Sequence, residues 1–470
     1  MKLFFMAALA LMTVACSNDE NDAAQQPQKA EGILFTATIT VDKGATTRAL
    51  AESGNDIVAT WAEGEKVALI YNVGAKTYVK EAEVTPQAGG TATISATLDG
   101  SPADDTDVTI VYPASAVDAT TNDVKANLLA TQNGLLIGEG SISEKYDLRK
   151  TTSPAKLKID GTTASLKGTV SLTNQNAIFK LTLKDIDGTN DVSATSVVIS
   201  NQSGTVTTVT PASGYEKAMY VALPTTATTL KFLVTGSDNT KYFNMASGFT
   251  LGANYYQSPV KLATVGNVIA ANGKCYKDKT AATGAGTTAV AMITYLGNDA
   301  ETSTTYRNGL ALALADCYSS GYTFTWCSQS SVTCLTNQYN TSTLAKTDIA
   351  GIANTDALVN QNKHAHNAAQ RARNYEYSVT HPTGTSEWFL PSFGQWYKMI
   401  TVKGYYNNDN YNVLCSSFSS VGGTNMASQN YWSSTEFDKY YAWRSYYNGT
   451  TSDSRPSKGN ANRVRASLAF

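Results

Sequence analysis

The sequence has few charged residues and no marked excess of either sign. Lys and Arg number 36 and Asp and Glu 38, so the net charge is −2, and charged residues make up only 16% of the chain. A chain with so little net charge offers no basic surface for nucleic acid. The low charge content, together with abundant Thr, Ser, Ala, Gly and Asn, is typical of β-rich extracellular proteins rather than of cytosolic enzymes.

Long apolar runs are absent after the first few residues. Residues 3–14 are apolar, but this run is too short to span a bilayer as a helix. Small residues then precede Cys16, and an acidic stretch follows it. Residues 1–15 therefore resemble a lipoprotein signal peptide, with Cys16 as the lipidated residue and residues 16–30 as a polar tether. This resemblance implies a surface-exposed outer-membrane lipoprotein; an ordinary secretory signal is the alternative.

Cysteine is missing from the long stretch between Cys16 and residue 275. The other five cysteines are Cys275, Cys317, Cys327, Cys334 and Cys415. Five is an odd number, so at least one thiol is unpaired in a monomer. Cys327 and Cys334 are near enough in sequence for a local bridge, but buried free thiols are the simpler interpretation. The spacing matches no zinc motif, so no metal site is predicted.

Signatures of catalysis are absent as well. The chain has three histidines and shows no Ser-His-Asp order, paired carboxylates or phosphate-binding loop. His364 and His366 are two residues apart, and on a helix their side chains would diverge by about 200°. A shared metal ion is therefore not expected. We predict no cofactor and interpret the chain as a non-enzyme.

Short runs of alternating apolar and polar residues fill the chain from residue 31 to residue 265. Ile33, Phe35, Ala37, Ile39 and Val41 alternate with Leu34, Thr36, Thr38 and Thr40, which predicts a strand with one apolar face. Further strands are predicted at 66–71, 91–98, 108–112, 177–183, 195–200, 218–223 and 230–235. Gly, Asn, Asp and Pro clusters separate them, as in β-sandwiches. The alternation breaks near residues 150–165, so two sandwiches are predicted, at 31–158 and 159–265.

This part of the chain resembles a fimbrillin, the two-domain β-sandwich pilin of gut and oral Gram-negative bacteria. The resemblance is carried in order by residues 46–48, 61–67, 112–114, 130–132, 177–181, 220–224 and 254–256. It implies that an Arg-specific protease cuts between Arg48 and Ala49 and releases the first strand. The open groove would then accept a strand from another fimbrillin subunit. The alternative is that Arg48 is simply a loop residue.

Residues 266–470 carry a second resemblance. Trp388 and Pro391 lie in a WFLPS turn, Trp432 in a YWSST segment and Trp443 in a later YAW segment, and residues 463–465 read RVR. This order resembles the C-type-lectin-like domain of collagen-like adhesins, an α+β fold. The resemblance implies that Trp388, Pro391, Trp432 and Trp443 determine the fold and do not contact ligand. The calcium-binding triplets of sugar-binding C-type lectins are missing, so no calcium site is expected.

Local patterns in this C-terminal part predict two helices and a strand. Apolar residues at helical spacing predict a helix over 356–377 with a face of small residues. Ser392 and Gln395 form a capping box for a second helix, whose buried side contains Trp396, Met399 and Ile400. Residues 440–447 alternate again and are predicted to be extended.

Two polar stretches rich in aromatic residues hold the candidate ligand-binding residues. The first resembles an antibody paratope in composition, since Tyr offers rigid surface and Asn adaptable hydrogen bonds. Aromatic faces stack on sugar rings, while amides and guanidinium groups bond hydroxyl or acidic groups. Solvated loops without a function are the alternative. The candidates are Tyr405, Tyr406, Asn407, Asn408, Asp409 and Tyr411 in the first stretch, and Tyr446, Tyr447, Asn448, Arg455 and Lys458 in the second.

These features predict a pilus subunit that binds a glycan or an extracellular-matrix ligand through its C-terminal domain. Residues 465–470 read as the closing strand of that domain rather than as a donor strand, so the polymer tip is the expected position. An anchor subunit and an unpolymerised surface lipoprotein are the alternatives to the tip position. Two other functions are a non-pilus, glycan-binding surface lipoprotein and an enzyme of the formylglycine-generating type, which shares the lectin-like fold and uses a cysteine pair.

Overall fold

The computed structural model shows a mainly β protein, with 41% strand and 16% helix, so the predicted predominance of β structure is confirmed. In the part of the chain that it describes, no helix is long and apolar enough to cross a membrane. The described residues are 32–41, 51–53, 56–58, 61–118, 120–124, 131–201, 204–225, 229–247, 255–318, 322–329, 331–361, 365–401, 408–445 and 455–470.

The first part of the chain forms a nine-stranded sheet that curls around one core. The elements up to residue 174 are β1 (Ile33–Val41), β2 (Ala51–Ser53), β3 (Asp56–Val58), β4 (Lys66–Val73), β5 (Lys76–Pro86), β6 (Thr91–Leu98), β7 (Asp107–Tyr112), β8 (Thr131–Gln132), α1 (Ile142–Lys145), β9 (Arg149–Thr151), β10 (Ala155–Asp160), β11 (Thr163–Leu166) and β12 (Val170–Asn174). The strand order is β10-β11-β1-β12-β9-β7-β4-β5-β6, and extra pairings of β1 with β6 and β10 with β7 curl the sheet on itself. β2 and β3 form a separate pair.

The second part is a sandwich of two sheets. Its strands are β13 (Asn176–Asp185), β14 (Ala194–Asn201), β15 (Gly204–Val209), β16 (Ala218–Pro224), β17 (Thr229–Gly236), β18 (Lys241–Ser247) and β19 (Tyr255–Leu262). A three-stranded sheet, β16-β13-β19, shares its core with a five-stranded sheet, β18-β17-β14-β15-β8. All the strands predicted in the first 265 residues are confirmed, because local alternation is enough to identify them.

The boundary between these two parts differs from the one expected at residue 158. β11 and β12 follow that position, yet they pair with β1 in the first sheet. Their apolar residues Ala164 and Leu172 are buried in the first core. In the opposite direction, β8 pairs with β15 of the second part. The chain therefore crosses between the two parts more than once, which a pattern of local breaks does not reveal.

The C-terminal part combines a five-stranded sheet, helices and two short strand pairs. Its elements are β20 (Val268–Ala270), β21 (Cys275–Tyr276), α2 (Lys279–Gly284), β22 (Ala289–Leu296), β23 (Gly309–Ala313), β24 (Phe324–Thr325), α3 (Ser342–Ala345), α4 (Gly351–Val359), α5 (Asn367–Arg373), α6 (Phe393–Thr401), α7 (Asn408–Ser416), β25 (Tyr431–Glu436), β26 (Ala442–Ser445), β27 (Ala461–Asn462) and β28 (Ser467–Ala469). The sheet order is β21-β20-β22-β23-β28, and β24 pairs with β27 and β25 with β26. Short 3-10 turns lie at Ala88–Gly90, Ala114–Ala116, Asn374–Tyr377 and Phe418–Val421.

One of the two helix predictions is confirmed and the other is wrong. α6 begins after Ser392, whose backbone N–H donates to Gln395 Oε1 at 2.9 Å while the Gln395 N–H donates to Ser392 Oγ at 3.3 Å. This is the predicted capping box. The helix predicted over 356–377 is broken, because α4 ends at Val359 and α5 begins only at Asn367. Asn360, the residue after Val359, favours the end of a helix because its short polar side chain competes with helical hydrogen bonding.

The second and C-terminal parts pack on each other through a common core. The Phe243 ring from β18 lies 4.5 Å from the Phe470 ring, measured between centroids. Asn308 Nδ2 donates to Ser200 Oγ at 3.1 Å, and Lys231 Nζ donates to the Thr305 carbonyl at 3.0 Å. Apolar contact and buried hydrogen bonds therefore join the two parts.

Candidate functional site

Strand β1 is held by neighbours on both of its edges. Ile33 to Thr40 pair antiparallel with Leu98 to Thr91 of β6. On the other edge, Leu34 and Phe35 pair in parallel with β11, and Ile39 to Val41 pair with β12. Because β1 has paired neighbours along both edges, it is an interior strand of the sheet and not an edge strand.

The side chains of β1 alternate between the core and the solvent. Ile33, Phe35, Ala37 and Ile39 are buried in the first core, whereas Leu34 is 55% exposed. The strand therefore fills an apolar slot with every second residue. An extended segment with the same alternation could occupy this slot and use the same backbone partners.

Several predicted site residues lie outside the described residues. They are the lipidation residue Cys16, the cleavage residues Arg48 and Ala49, and the ligand candidates Tyr405, Tyr406, Asn407, Tyr446, Tyr447 and Asn448. Asn408, Asp409 and Tyr411 belong to the helix α7, so that half of the first stretch is helical and not a loop.

Lys458 is not a surface residue, which corrects its selection as a ligand candidate. Its side chain is 0% exposed, and its ammonium forms an ion pair with Glu436. Lys458 Nζ also donates to the Val332 carbonyl at 2.7 Å and to the Lys439 carbonyl at 3.3 Å. The charge is satisfied inside the protein, so Lys458 cannot contact a ligand at the surface.

Exposed aromatic residues lie close to Lys458, on the turn between β25 and β26. We define the Tyr440 patch as Phe437, Tyr440, Tyr441 and Arg455. Tyr440 and Tyr441 are 44% and 40% exposed. The exposed Arg455 places its guanidinium carbon 4.7 Å from the centroid of the Phe437 ring. Among the ligand candidates selected from the sequence, Arg455 is the one whose described side chain belongs to the Tyr440 patch.

The aromatic motif residues lie in the interior. Trp388, Trp432 and Trp443 are all fully buried, and Pro391 is buried as well. Each indole N–H donates to a backbone carbonyl, from Trp388 to Val379 at 2.6 Å, from Trp432 to Phe324 at 2.6 Å and from Trp443 to Tyr339 at 2.7 Å. Buried rings with satisfied N–H groups suit a structural role. That these residues determine the fold stays a prediction.

Three buried side chains with metal-binding chemistry converge in the C-terminal part. Cys327 and Cys334 are both free thiols, with their Sγ atoms 4.0 Å apart. His366, at the start of α5, joins them so that one ligand atom from each residue lies within 4.8 Å of the others. Cys327 and Cys334 are close in sequence, but His366 lies 32 residues beyond Cys334 and the three match no linear metal-binding motif, so the sequence does not predict the cluster.

The surroundings of the two thiols make them chemically unequal. The hydrogen bond from the Cys334 thiol lowers the pKa of Cys327 well below its usual range. The same hydrogen bond, together with burial, raises the pKa of Cys334. Cys327 Sγ also accepts from the Gln329 N–H at 3.4 Å. The arrangement favours one thiolate and one thiol that share a proton.

Comparisons with known proteins yield only distant similarities. No family model and no curated protein matches the chain. Among solved structures, it is similar to a fimbrial protein from Bacteroides ovatus at 16% identity and a TM-score of 0.35, with 94% of this chain and 99% of that one covered. It is also similar to a fimbrial assembly protein from Parabacteroides distasonis at 17% identity and a TM-score of 0.29, with 48% and 90% covered. These values decide neither fold nor function, which rest on the pairing and burial described above.

Proposed function

We propose that this chain is a surface-displayed pilus subunit that exchanges its β1 strand for a strand donated by a neighbouring subunit. Its C-terminal domain, in this proposal, is C-type-lectin-like and binds a glycan or matrix ligand at the pilus tip. The chain acts by binding and not by catalysis. Before processing it is anchored in the outer membrane through lipid on Cys16, and cleavage between Arg48 and Ala49 releases β1.

The observation that carries the proposal is the position of β1. It is the first described strand, and it lies inside the first sheet with partners on both edges. Residues 42–50, which include the predicted cleavage site, separate it from the next strand, β2. Cleavage there would leave β1 joined to the rest of the domain only by non-covalent contacts.

Loss of β1 would create a strong driving force for strand addition. The slot would expose the backbone groups of β6 and the apolar environment of Ile33, Phe35 and Ile39. Burying one such large side chain stabilises by roughly 1.5–3 kcal/mol. Unpaired strand edges also bind other strands readily. A donated strand restores both the backbone hydrogen bonds and the burial of apolar side chains.

The tip position is supported by two strands, β28 and β19, that are already paired within this subunit. β28 pairs with β23 inside the C-terminal sheet. β19 pairs in parallel with β13 and leads directly into β20. Neither strand can leave to fill a neighbour's slot without opening a core, so the subunit accepts a strand and does not donate one of these two.

The ligand-binding part of the proposal rests on the Tyr440 patch. Tyr440 and Tyr441 present aromatic surface, and Arg455 adds a positive charge beside the Phe437 ring. Such surfaces stack on the C–H face of sugars and bond acidic groups. The remaining candidates in residues 405–411 and 446–448 belong to the same proposal.

Strand exchange can be tested with the processed chain, starting at Ala49, and synthetic peptides that carry the β1 sequence. The unchanged peptide should bind and raise the melting temperature of the first domain. Phe35→Lys in the peptide should abolish binding, because this side chain is buried. Thr36→Lys is the matched control: it adds the same charge at an exposed position and should bind normally. Equal binding of both variants, or of neither, would refute the exchange.

Both alternative functions differ from the proposed one in the state of the N-terminus. A glycan-binding lipoprotein outside the pilus retains β1 and Cys16, as does an enzyme of the formylglycine-generating type. Mass spectrometry of material from assembled pili should find Ala49 as the first residue. Cys16 still attached in polymerised material would remove the cleavage step from the proposal.

A further inference from the structure

The cluster of Cys327, Cys334 and His366 has no role in strand exchange or in ligand binding at the Tyr440 patch. We infer that these three side chains form a binding site for a thiophilic d10 cation, Zn²⁺ or Cu⁺. Thiolate and imidazole ligands favour these ions over hard cations such as Mg²⁺ and Ca²⁺. All three residues are buried, so the ion would be shielded from solvent.

The distance between the two sulfur atoms fits a metal ion between them. Metal–sulfur bonds to zinc are about 2.3 Å long. Two such bonds spanning the observed 4.0 Å between Sγ atoms make an angle of about 120° at the metal. A disulfide, by contrast, needs the sulfur atoms at about 2.05 Å, roughly half the observed distance. The distance between the two Sγ atoms therefore accommodates an ion between them without formation of a disulfide.

The imidazole of His366 is prepared for coordination through Nδ1. Its Nε2 lies 3.1 Å from Gln361 Oε1, an acceptor, which assigns the ring proton to Nε2. Nδ1 then carries the lone pair; it is buried and makes no hydrogen bond of normal geometry among the residues that the structure describes, although the imidazole is close enough to the Cys327 thiol to lower its pKa. A buried nitrogen of this kind is rare unless a ligand satisfies it.

Gln361 positions two of the three ligands. Its Oε1 accepts from His366, and its Nε2 donates to the backbone carbonyl of Cys334. Backbone and side-chain partners of this kind commonly fix the orientation of metal ligands. Gln361 is therefore a positioning residue for the site, and it does not itself contact the ion.

The charges around the cluster also suit a cation. Glu436 and Lys458 neutralise each other, and Lys458 Nζ lies 3.9 Å from Cys334 Sγ. Two thiolates with Zn²⁺ give a neutral buried group, which avoids the cost of burying net charge. With Cu⁺ the group carries one negative charge beside Lys458, and the three-ligand arrangement suits that ion. The shared chemistry is thus a d10 ion held by two sulfurs and one nitrogen.

The first test uses the full chain purified under reducing conditions and stripped of metal. Titration with Zn²⁺, and separately with Cu⁺ under anaerobic conditions, should show one tight site per chain and raise the melting temperature. The ion with the higher affinity in competition with chelators identifies the preferred metal. X-ray absorption of the loaded wild-type protein should show two sulfur ligands and at least one nitrogen, a readout that needs no variant. A first shell made only of nitrogen and oxygen would overturn the assignment.

Variants provide the second test. Cys327→Ser combined with Cys334→Ser should abolish tight binding, whereas Cys275→Ser removes a thiol outside the cluster and should leave it unchanged. Gln361→Ala should weaken binding about 10- to 100-fold, the usual effect of losing such a supporting residue. Circular dichroism checks that each variant is folded. Binding that survives in the folded double variant, or no binding by wild type, would overturn the proposal, as would a Cys327–Cys334 disulfide in protein isolated without reductant.

Discussion

At the scale of single residues, Lys458 shows why exposure is difficult to infer from sequence. Its neighbours Ser457, Gly459 and Asn460 are typical of a solvated loop. Its ion-pair partner, Glu436, is 22 residues away in sequence at the end of strand β25, whereas Lys458 lies in a turn. Glu436 in turn accepts the backbone N–H groups of Cys334 and Leu335, at 2.8 and 2.7 Å. One buried carboxylate therefore ties three segments of the C-terminal part together.

Breaking this ion pair from one side should be costly. Lys458→Met leaves the Glu436 carboxylate buried and uncompensated, so we expect a loss of about 3–5 kcal/mol in the free energy of unfolding. Urea unfolding followed by tryptophan fluorescence will report it, because five of the six tryptophans lie in the C-terminal part. Lys439→Met, at an exposed lysine, is the control and should change stability by less than about 0.5 kcal/mol. Equal effects of the two variants would contradict the buried ion pair.

Trp432 and Tyr441 should behave in opposite ways. Trp432→Ala removes a fully buried ring and its hydrogen bond to Phe324, and such changes cost roughly 3–5 kcal/mol. Tyr441→Ala, in the Tyr440 patch, should alter stability by no more than about 0.5 kcal/mol. The melting temperature of each variant measures the contrast. A destabilised Tyr441→Ala protein would show that this residue supports the fold and would remove it from the proposed ligand surface.

At the scale of secondary-structure elements, features set by local sequence patterns can be predicted, whereas features set by contacts between distant parts of the chain cannot. β1 and α6 were predicted because alternation and a capping box are local patterns, complete within ten residues. The pairing of β11 and β12 with β1 depends on partners more than 120 residues away along the chain, so the sequence pattern misplaced the domain boundary. The cluster of Cys327, Cys334 and His366 is not predicted either, because no linear motif links His366 to the two cysteines and only the folded chain brings the three side chains together.

The packing of α6 provides a test at this scale. A Cβ atom at Gly394 would lie 2.3 Å from the Asp348 carbonyl oxygen, so no side chain fits there. Gly394→Ala should therefore destabilise by about 1–3 kcal/mol despite the higher helix propensity of alanine. Gly284→Ala in α2 is the matched control, because a Cβ there meets open space, and it should be neutral or stabilise by up to about 1 kcal/mol. Thermal unfolding compares the two; a neutral Gly394→Ala would show that the contact is looser than described.

At the scale of the whole molecule, Lys231 lies between the second and C-terminal parts. Its side chain is buried, with Nζ bonded to the Thr305 carbonyl and 5.1 Å from the centroid of the Tyr306 ring. Burial lowers the pKa of Lys231 from 10.5 to about 8. The ammonium is thus disfavoured in the folded state relative to the unfolded state.

This shift predicts that stability rises with pH in a defined window. Between pH 8 and 10 the unfolded chain binds more protons at Lys231 than the folded one, so raising the pH favours folding. The contribution is up to about 3 kcal/mol. Lys231→Met should remove the pH dependence and be more stable than wild type at pH 7. Midpoints of urea unfolding at several pH values test this prediction. If the stability of Lys231→Met depends on pH as that of the wild type does, groups other than Lys231 cause the dependence.

The position of the subunit in the polymer follows from which strands are free to move. β28 and β19 are paired within their own sheets, whereas β1 is separable by cleavage at Arg48 in our proposal. In our proposal, a subunit that accepts a strand but donates neither of these ends the polymer. Gold-labelled antibodies against residues 266–470 should therefore decorate pilus ends. Arg48→Ala, which blocks cleavage, should leave the protein on the cell surface but remove the label from pili, because the slot stays filled by β1. Regular labelling along the shafts would show that the subunit also donates a strand, and the tip assignment would then be wrong.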